Sequence, residues 1–561
     1  MFYNLEVGLA QGVSFGGIIG SDTTWTIANS PYNITGNVLV NNGVTLTIEP
    51  GITVNLNGFY ILVNGTLQAR GTGGNLISFI GGFQIRFADN VKNYNATTGV
   101  GNIIEYANCT STPIGVSLAA PQIDNCSLGR ITIDGGSPAI FGNTISFIDQ
   151  GTWYYTSASP LIVNNTFTGA GINLSGNSPI IANNTLRNGN IFLDSNGSAV
   201  ISNNIIAATT YPYLGTQGIM LYGRGTQIIN NTISGSTVGI IPNENSRVEN
   251  NTFFSVNSAV EVSYYNTSII GNYIHGTSTG IDVENTSGTT VKNNVISNNL
   301  YGIFSYSGNV TLTNNTLTNN SRIAIQVVAP YPILQGNMTI QKNTVINGSS
   351  GVDAALTYAG SMLIQGNLIS NCSEAIRITA GNANAQIDNN TILSSGIALG
   401  VEKYSAPTPL SIAYNNFVNN QWNVHLTNSP NDLSAPSNWW DTTDTSRINQ
   451  TLYDFKFDFN LGRVNFVPFL AALNSQATPD TVPEATIAPT PSSTPTPTPQ
   501  PTASPTPAPT ATPTSTPTPT APPTPIPTPT PTIPEVSAAA VAATLLATTV
   551  AMIAYKRKHS I

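Results

Sequence analysis

The sequence predicts an all-β chain: a right-handed parallel β-helix solenoid, followed by a disordered Pro/Thr-rich linker and one C-terminal transmembrane helix. Three observations predict it. An Asn-containing unit recurs about every 22 residues, apolar residues alternate with period two inside each unit, and the composition changes abruptly to Pro and Thr late in the chain.

The repeat reads as an apolar residue, two variable residues, Asn, one further residue and another apolar residue, as in IVNNTF, IANNTL, VENNTF, VKNNVI and IDNNTI. Its second polar position gives a ladder that opens at Cys126 and continues through Asn143, Asn165, Asn184, Asn204, Asn231, Asn251, Asn272, Asn294, Asn315, Asn343, Asn367, Asn390 and Asn415. A second strand signal follows about eight residues later in each unit, as GINL, NIFL, GIML, AVEV, GIDV, GIFS, AIQV and AIRI. Twenty-two residues are too few for a strand plus a crossover helix, and Asn-Gly hairpin turns are not regularly placed, so a coil of three short strands fits the length. Stacked coils share one core. The ladder Asn is expected to take the left-handed turn conformation and to bond its equivalent one coil away.

Along the chain, residues 1–20 read as a degraded or truncated signal segment, with Glu6 where a basic region belongs. Residues 21–425 read as the solenoid, 426–472 as its C-terminal cap and 473–535 as a Pro/Thr-rich stalk. Residues 536–555 carry no charge and read as a transmembrane helix, and 556–561 form a cytoplasmic basic tail. This order places the solenoid at the cell surface, anchored in the cytoplasmic membrane with the β-helix outside. The partners it implies are the membrane, through the C-terminal helix, and an envelope or extracellular polysaccharide.

Composition supports this. Only 8% of the 561 residues are charged, against 68 Asn, 49 Gly and 37 Pro. Asn ladders, Gly turns and a Thr-Pro stalk supply the polarity that Lys and Glu usually supply. A net charge of −8 gives no field to hold nucleic-acid phosphates, which excludes nucleic-acid partners. Asn-x-Ser/Thr sequons, Asn266 among them, make the chain a candidate glycoprotein, although most arise because the ladder itself writes Asn-Asn-Thr.

The repeat units resemble the right-handed parallel β-helix repeats of pectate-lyase-like proteins and of NosD-type surface or periplasmic proteins. The opening, from TTWTIANSPYNITGNVLV to LVNGTLQARGT, looks like the start of archaeal and some bacterial secreted members. The close, NWWDTTDTSRINQTLYDFKFDF, looks like their capping segment, with Asp441 where that pattern has Gly. Ile533-Pro534-Glu535 resembles an archaeosortase-type Pro-Glu signal, with Val536 in place of Phe. The resemblance implies the fold and suggests copper handling, for which three His, five Met and three Cys give poor, unclustered support.

Enzymes on such folds work on the outward face of one strand ladder. Reading outward residues from successive second-strand signals gives Asn173, Phe192, Met220, Ile241, Glu261, Asp282, Phe304, Gln326, Asp353, Arg377, Ala398 and His425, with Asp194, Tyr222, Ser263, Glu284 and Tyr306 in a second column. Glu261, Asp282 and Glu284 fall on adjacent coils and are candidate calcium ligands through hard oxygens. Tyr222, Phe304 and Tyr306 are the candidate glycan-stacking face beside them. Calcium is the one candidate ion, and no organic cofactor is implied. The leading reading is a structural, adhesive or glycan-binding element, and the competing one is a polysaccharide lyase or hydrolase on the same face with no catalytic residue assigned. A lyase needs a basic side chain at its anionic site, whereas Arg377 falls four coils from Asp282, about 19 Å, and is expected to pair with Asp353. Two longer intervals, 209–217 and 329–336, are expected to wall a groove. Cys109 and Cys126, in similar contexts, are read either as a disulfide between adjacent coils or as two small buried thiols.

Overall fold

The computed structural model describes residues 12–477, apart from 90, 151–157, 177, 195–196, 209–215, 285, 307–308, 329–335, 357–359, 381–383 and 405–409. The chain divides into two units, Met1–Thr490 and Pro491–Ile561, and the second lies outside the described residues. The expected Pro/Thr stalk and transmembrane helix therefore fall there. Among the described residues, no helix is long and apolar enough to cross a membrane.

The described residues form a parallel β-solenoid of right-handed type with about 17 turns. One coil shows the plan: Ser268–Ile270, Tyr273–His275 and Thr279–Glu284 are its first, second and third strands, and each pairs in parallel with its equivalent one coil on. In several coils the second and third strands run together, as in Thr166–Ser175, Thr316–Val328, Thr344–Leu356 and Leu368–Ala380. Because side chains alternate, every other residue faces the axis. In the first ladder this stacks Ile162, Ile181, Ile201, Ile228, Val248, Ile269 and Val291 in register, all without solvent exposure. Burying such a side chain contributes roughly 1.5–3 kcal/mol, so a column of this length is a large part of what holds the coils together.

Two expectations about the ends change. Val13–Ile19 is a strand paired with Tyr32–Val40, so the solenoid begins inside the segment expected to be a signal. At the other end the third ladder runs past residue 425 to Leu452–Tyr453, which pairs with Val424 and His425. The remaining cap is the helix Thr445–Gln450, N-capped by the Asp444 carboxylate, and the strand pair Leu433–Ser434 with Val464–Asn465. Trp440 closes the core by stacking on Phe417 at 4.8 Å. Asp441 has φ 64°, which explains why a Gly-like residue belongs there.

The Asn ladder forms with one difference from expectation: two adjacent residues divide the work. The residue before each ladder member takes the left-handed conformation, as Asn164, Asn183, Asn203, Asn230, Asn250, Asn293 and Asn314 do, with Gly271 and Gly366 serving elsewhere. The ladder Asn itself is buried. Its Oδ1 accepts from the backbone N–H of the Asn one coil earlier at 2.8–3.0 Å and from that Asn's Nδ2 at 2.9–3.1 Å. Its own Nδ2 also donates to a backbone carbonyl of the previous coil, as Asn272 does to Val248. Every polar atom is thereby partnered, which is what allows an amide to sit inside a stack of aliphatic layers. The ladder continues to Asn438, one rung beyond the sequence reading.

The two cysteines do not stack. Cys109 stands opposite Leu128, whereas Cys126 occupies a ladder position and donates its N–H to Asn143. Similar flanking residues therefore conceal different places in the coil. Both are free buried thiols, so the disulfide alternative is replaced by the buried-thiol one. A second short polar ladder, which the sequence reading missed, lies at the corner between the second and third strands: Thr277 donates to Asn299, and Asn299 to Asn320. Cys372, whose N–H donates to Ser395, fills a rung of that corner further down.

Candidate functional site

The outward face of the third ladder is set by strand register. Asn173, Phe192, Met220 and Ile241 follow one another, and Glu261, Asp282, Phe304, Gln326, Asp353 and Arg377 continue the column. The next rung is Gly400, not Ala398, followed by His425 and Tyr453. Ala398 is fully buried because it belongs to a column of small residues with Gly280, Gly302, Ala324, Gly351 and Ala375. Backbones approach closely at that corner: a Cβ on Gly302 would lie 2.4 Å from the Ala324 carbonyl oxygen.

Glu261 and Asp282 are neighbours in register, and Glu284 faces Tyr306 one coil on, as Asp282 faces Phe304. Asp282 is half-buried between Glu261 and Phe304 in the outward column, and its Oδ1 is buried without a hydrogen-bond partner. Burial, then the charges of Glu284 and Glu261, push its carboxyl up to about 7. Glu261 is raised as well, by burial and then by Glu284. The patch thus holds two adjacent carboxyls that burial makes harder to ionise, with half-buried Phe304 and Tyr306 next to them.

As a calcium site it is incomplete. Among the described residues no group of three His, Cys, Asp or Glu is placed to hold a metal ion. Tyr222 does not join the patch either. It packs on Phe192 with ring centroids 5.4 Å apart, on the Met220 coil, four rungs before Phe304. The longer intervals 209–217 and 329–336 fall mostly outside the described residues.

Further along the column Arg377 forms its ion pair with Glu374, Nε to Oε2 at 2.9 Å, rather than the expected pair with Asp353. The Glu374 carboxylate lies over Gly400, where a Cβ would meet its Oε1. Burial raises Glu374 and Asp353 while Arg377 draws both down. At the C-terminal end His425 stacks on Tyr453 at 4.2 Å, Tyr453 on Phe457 at 5.3 Å, and Trp422 meets all three rings edge-on. Glu374, Glu402, Trp422, Tyr453 and Phe457 were not singled out from the sequence. The WNVHL strand and the LYDFKFDF run carry the aromatic signal, but only the cap's return to the ladder brings them together. A cleft of about 780 Å³ in the cap is lined by Asp454, Lys456, Arg463 and Val467, and the Asp454–Lys456 ion pair and the Val464 N–H satisfy its carboxylate.

Donors for copper fit poorly. Cys109, Cys126 and Cys372 are buried, and burial raises all three thiols, Cys126 to about 12 and Cys372 to about 11, far from the thiolate that binds metal. Met338 and Met362 are in register but face the core, and His275 and His425 lie on different ladders.

The family described as periplasmic copper-binding protein (NosD) matches residues 94–267, 241–338 and 265–454. No curated protein matches the chain. Among solved structures, XylC with xylose is 14% identical at a TM-score of 0.25, covering 47% of this chain and 53% of that one. A mutant of DFA-IIIase from Arthrobacter chlorophenolicus A6 in complex with DFA-III is 11% identical at a TM-score of 0.20, covering 77% and 90%. The same enzyme in complex with GF2 is 12% identical at a TM-score of 0.18.

Proposed function

The chain belongs to the NosD family, described as a periplasmic copper-binding protein, and on that premise we propose that it is an envelope β-helix rod whose third-ladder face binds a glycan. The single observation that carries this is the register that sets Glu261, Asp282 and Glu284 against Phe304 and Tyr306. Carboxylates accept hydrogen bonds from sugar hydroxyls, and an adjacent aromatic ring takes the apolar face of a sugar. Copper binding is not carried over from the family description, since the described residues do not assemble a soft ligand set. Anchoring through residues 536–555, with 473–535 as a stalk, is part of the proposal and rests on the sequence pattern. Calcium, if it acts, would have to complete its coordination from the bound sugar.

A glycan array probed with the wild type and with E261Q/D282N/E284Q tests the reading. Glycan binding that the triple variant loses, with its circular dichroism unchanged, supports it, and binding by neither protein overturns it. One observation favours a second reading, hydrolysis: Asp282 and Glu261 are paired in register and burial raises the Asp282 carboxyl to about 7, which suits an acid and its partner in glycoside cleavage. Release of reducing ends from a bound glycan, abolished in D282N, would establish it. Binding without product leaves the first reading.

A further inference from the structure

The outward column carries aromatic rings at a regular interval. Phe192 stands five rungs before Phe304, with Met220, Ile241, Glu261 and Asp282 between them. Phe304 stands five rungs before His425, with Gln326, Asp353, Arg377 and Gly400 between them. Each interval spans about 24 Å at the spacing of parallel strands. Each of these positions is widened by a further ring: Tyr222 packs on Phe192, Tyr306 follows Phe304 on the same strand, and Tyr453 stacks on His425. Tyr222 is 46% exposed, so the first platform is open to solvent. Between the platforms lie polar positions rich in carboxylates: Glu261, Asp282 and Glu284 in the first interval, Asp353, Glu374 and Glu402 in the second, where Arg377 supplies the cation of the column.

We infer that the glycan is a linear, uncharged polysaccharide lying along the solenoid axis and bridging three aromatic platforms. This rests on the glycan-binding reading and adds direction, length and charge to it. A sugar in an extended chain advances by roughly one strand spacing, so successive residues meet successive rungs and the chain keeps step with the protein. Occupying two platforms takes about six or seven residues and three take about eleven or twelve, by the same spacing. An anionic chain would run against the carboxylates of both intervals, whereas hydroxyls donate to them.

The experiment is titration calorimetry of the full chain with graded lengths of a neutral oligosaccharide that binds on the array, of about 4, 7 and 12 residues, beside a uronic-acid chain of matching length. Affinity should rise about tenfold or more at each step, because each added platform is engaged intramolecularly. W422A/Y453A should return the 12-residue chain to the affinity of the 7-residue chain, and F192A/Y222A should do the same from the other end. Equal affinity at all lengths, or a preference for the uronic-acid chain, overturns the axial track while leaving glycan binding in place. No binding at any length or charge overturns the glycan reading itself.

Discussion

Two columns of side chains run the length of this solenoid and obey different rules. Inside the turn between first and second strands, one residue type recurs at nearly every rung, and every amide atom is spent on the rung above or below. On the outward face of the third strands, the same backbone geometry carries phenylalanine, glutamate, aspartate, glutamine and arginine in turn. The difference teaches that repetition belongs to whatever must match its own copy one coil away. Residues freed from that demand are where a ligand can be read.

The sharpest way to break the comparison is to remove one inner rung. Asn272→Ala strands the Asn251 N–H and Nδ2 and removes the Nδ2 donor to the Val248 carbonyl and to Asn294 Oδ1, and should cost roughly 3 kcal/mol or more. Gln326→Ala on the outer column should change stability by no more than about 0.5 kcal/mol. Chemical denaturation of both variants measures the contrast, and equal losses would remove the distinction.

A pH titration of stability comes next. The Asp282 carboxyl titrates at about 7 in the fold and near 3.8 when exposed. Between those values the unfolded chain releases a proton that the folded chain keeps, so stability falls as pH rises through this window and the full penalty is present above 7. With about 1.4 kcal/mol per unit, this amounts to at most about 4 kcal/mol, which solvent screening of the part-exposed carboxyl reduces to something on the order of 3 kcal/mol. Asp282→Asn should therefore be more stable than the wild type at pH 8, with the gap closing toward pH 4. A variant equally stable at both pH values would show that burial does not hold this carboxyl protonated.

Smaller effects sharpen the inner column. Cys126→Asn should extend the ladder by one rung, since Cys126 already donates its N–H to Asn143 and its sulfur lies toward the Ile104 carbonyl. A gain of about 1 kcal/mol is expected in the same denaturation assay. Tyr414 holds φ 60° and is half exposed, in the turn position that Asn fills elsewhere. Tyr414→Asn should add about 0.5 kcal/mol, and a loss would mean that the ring packs usefully against the cap.

Much of the molecule was legible in the residues. The ladder from Asn143 to Asn415 was read in full, and the outward column failed at one rung, where GIAL was aligned by its glycine although Leu399 and Val401 are the inward residues. The misreadings share a cause. Tyr222 was placed near Phe304 and Cys109 over Cys126, and Arg377, which does stand beside Asp353 in register, was given Asp353 rather than Glu374 as its ion-pair partner. Each judgement required knowing which side chains meet across coils joined by turns of unequal length.

By itself the sequence determined the strands, the coil and the inner ladder, because alternation and repetition are local and self-complementary. Only the tertiary structure decided which carboxyl loses its water, which acid takes the arginine and that aromatic rings recur every fifth rung. Those properties depend on what one coil presents to the next, and in this fold neighbours in space lie some twenty residues apart in the chain.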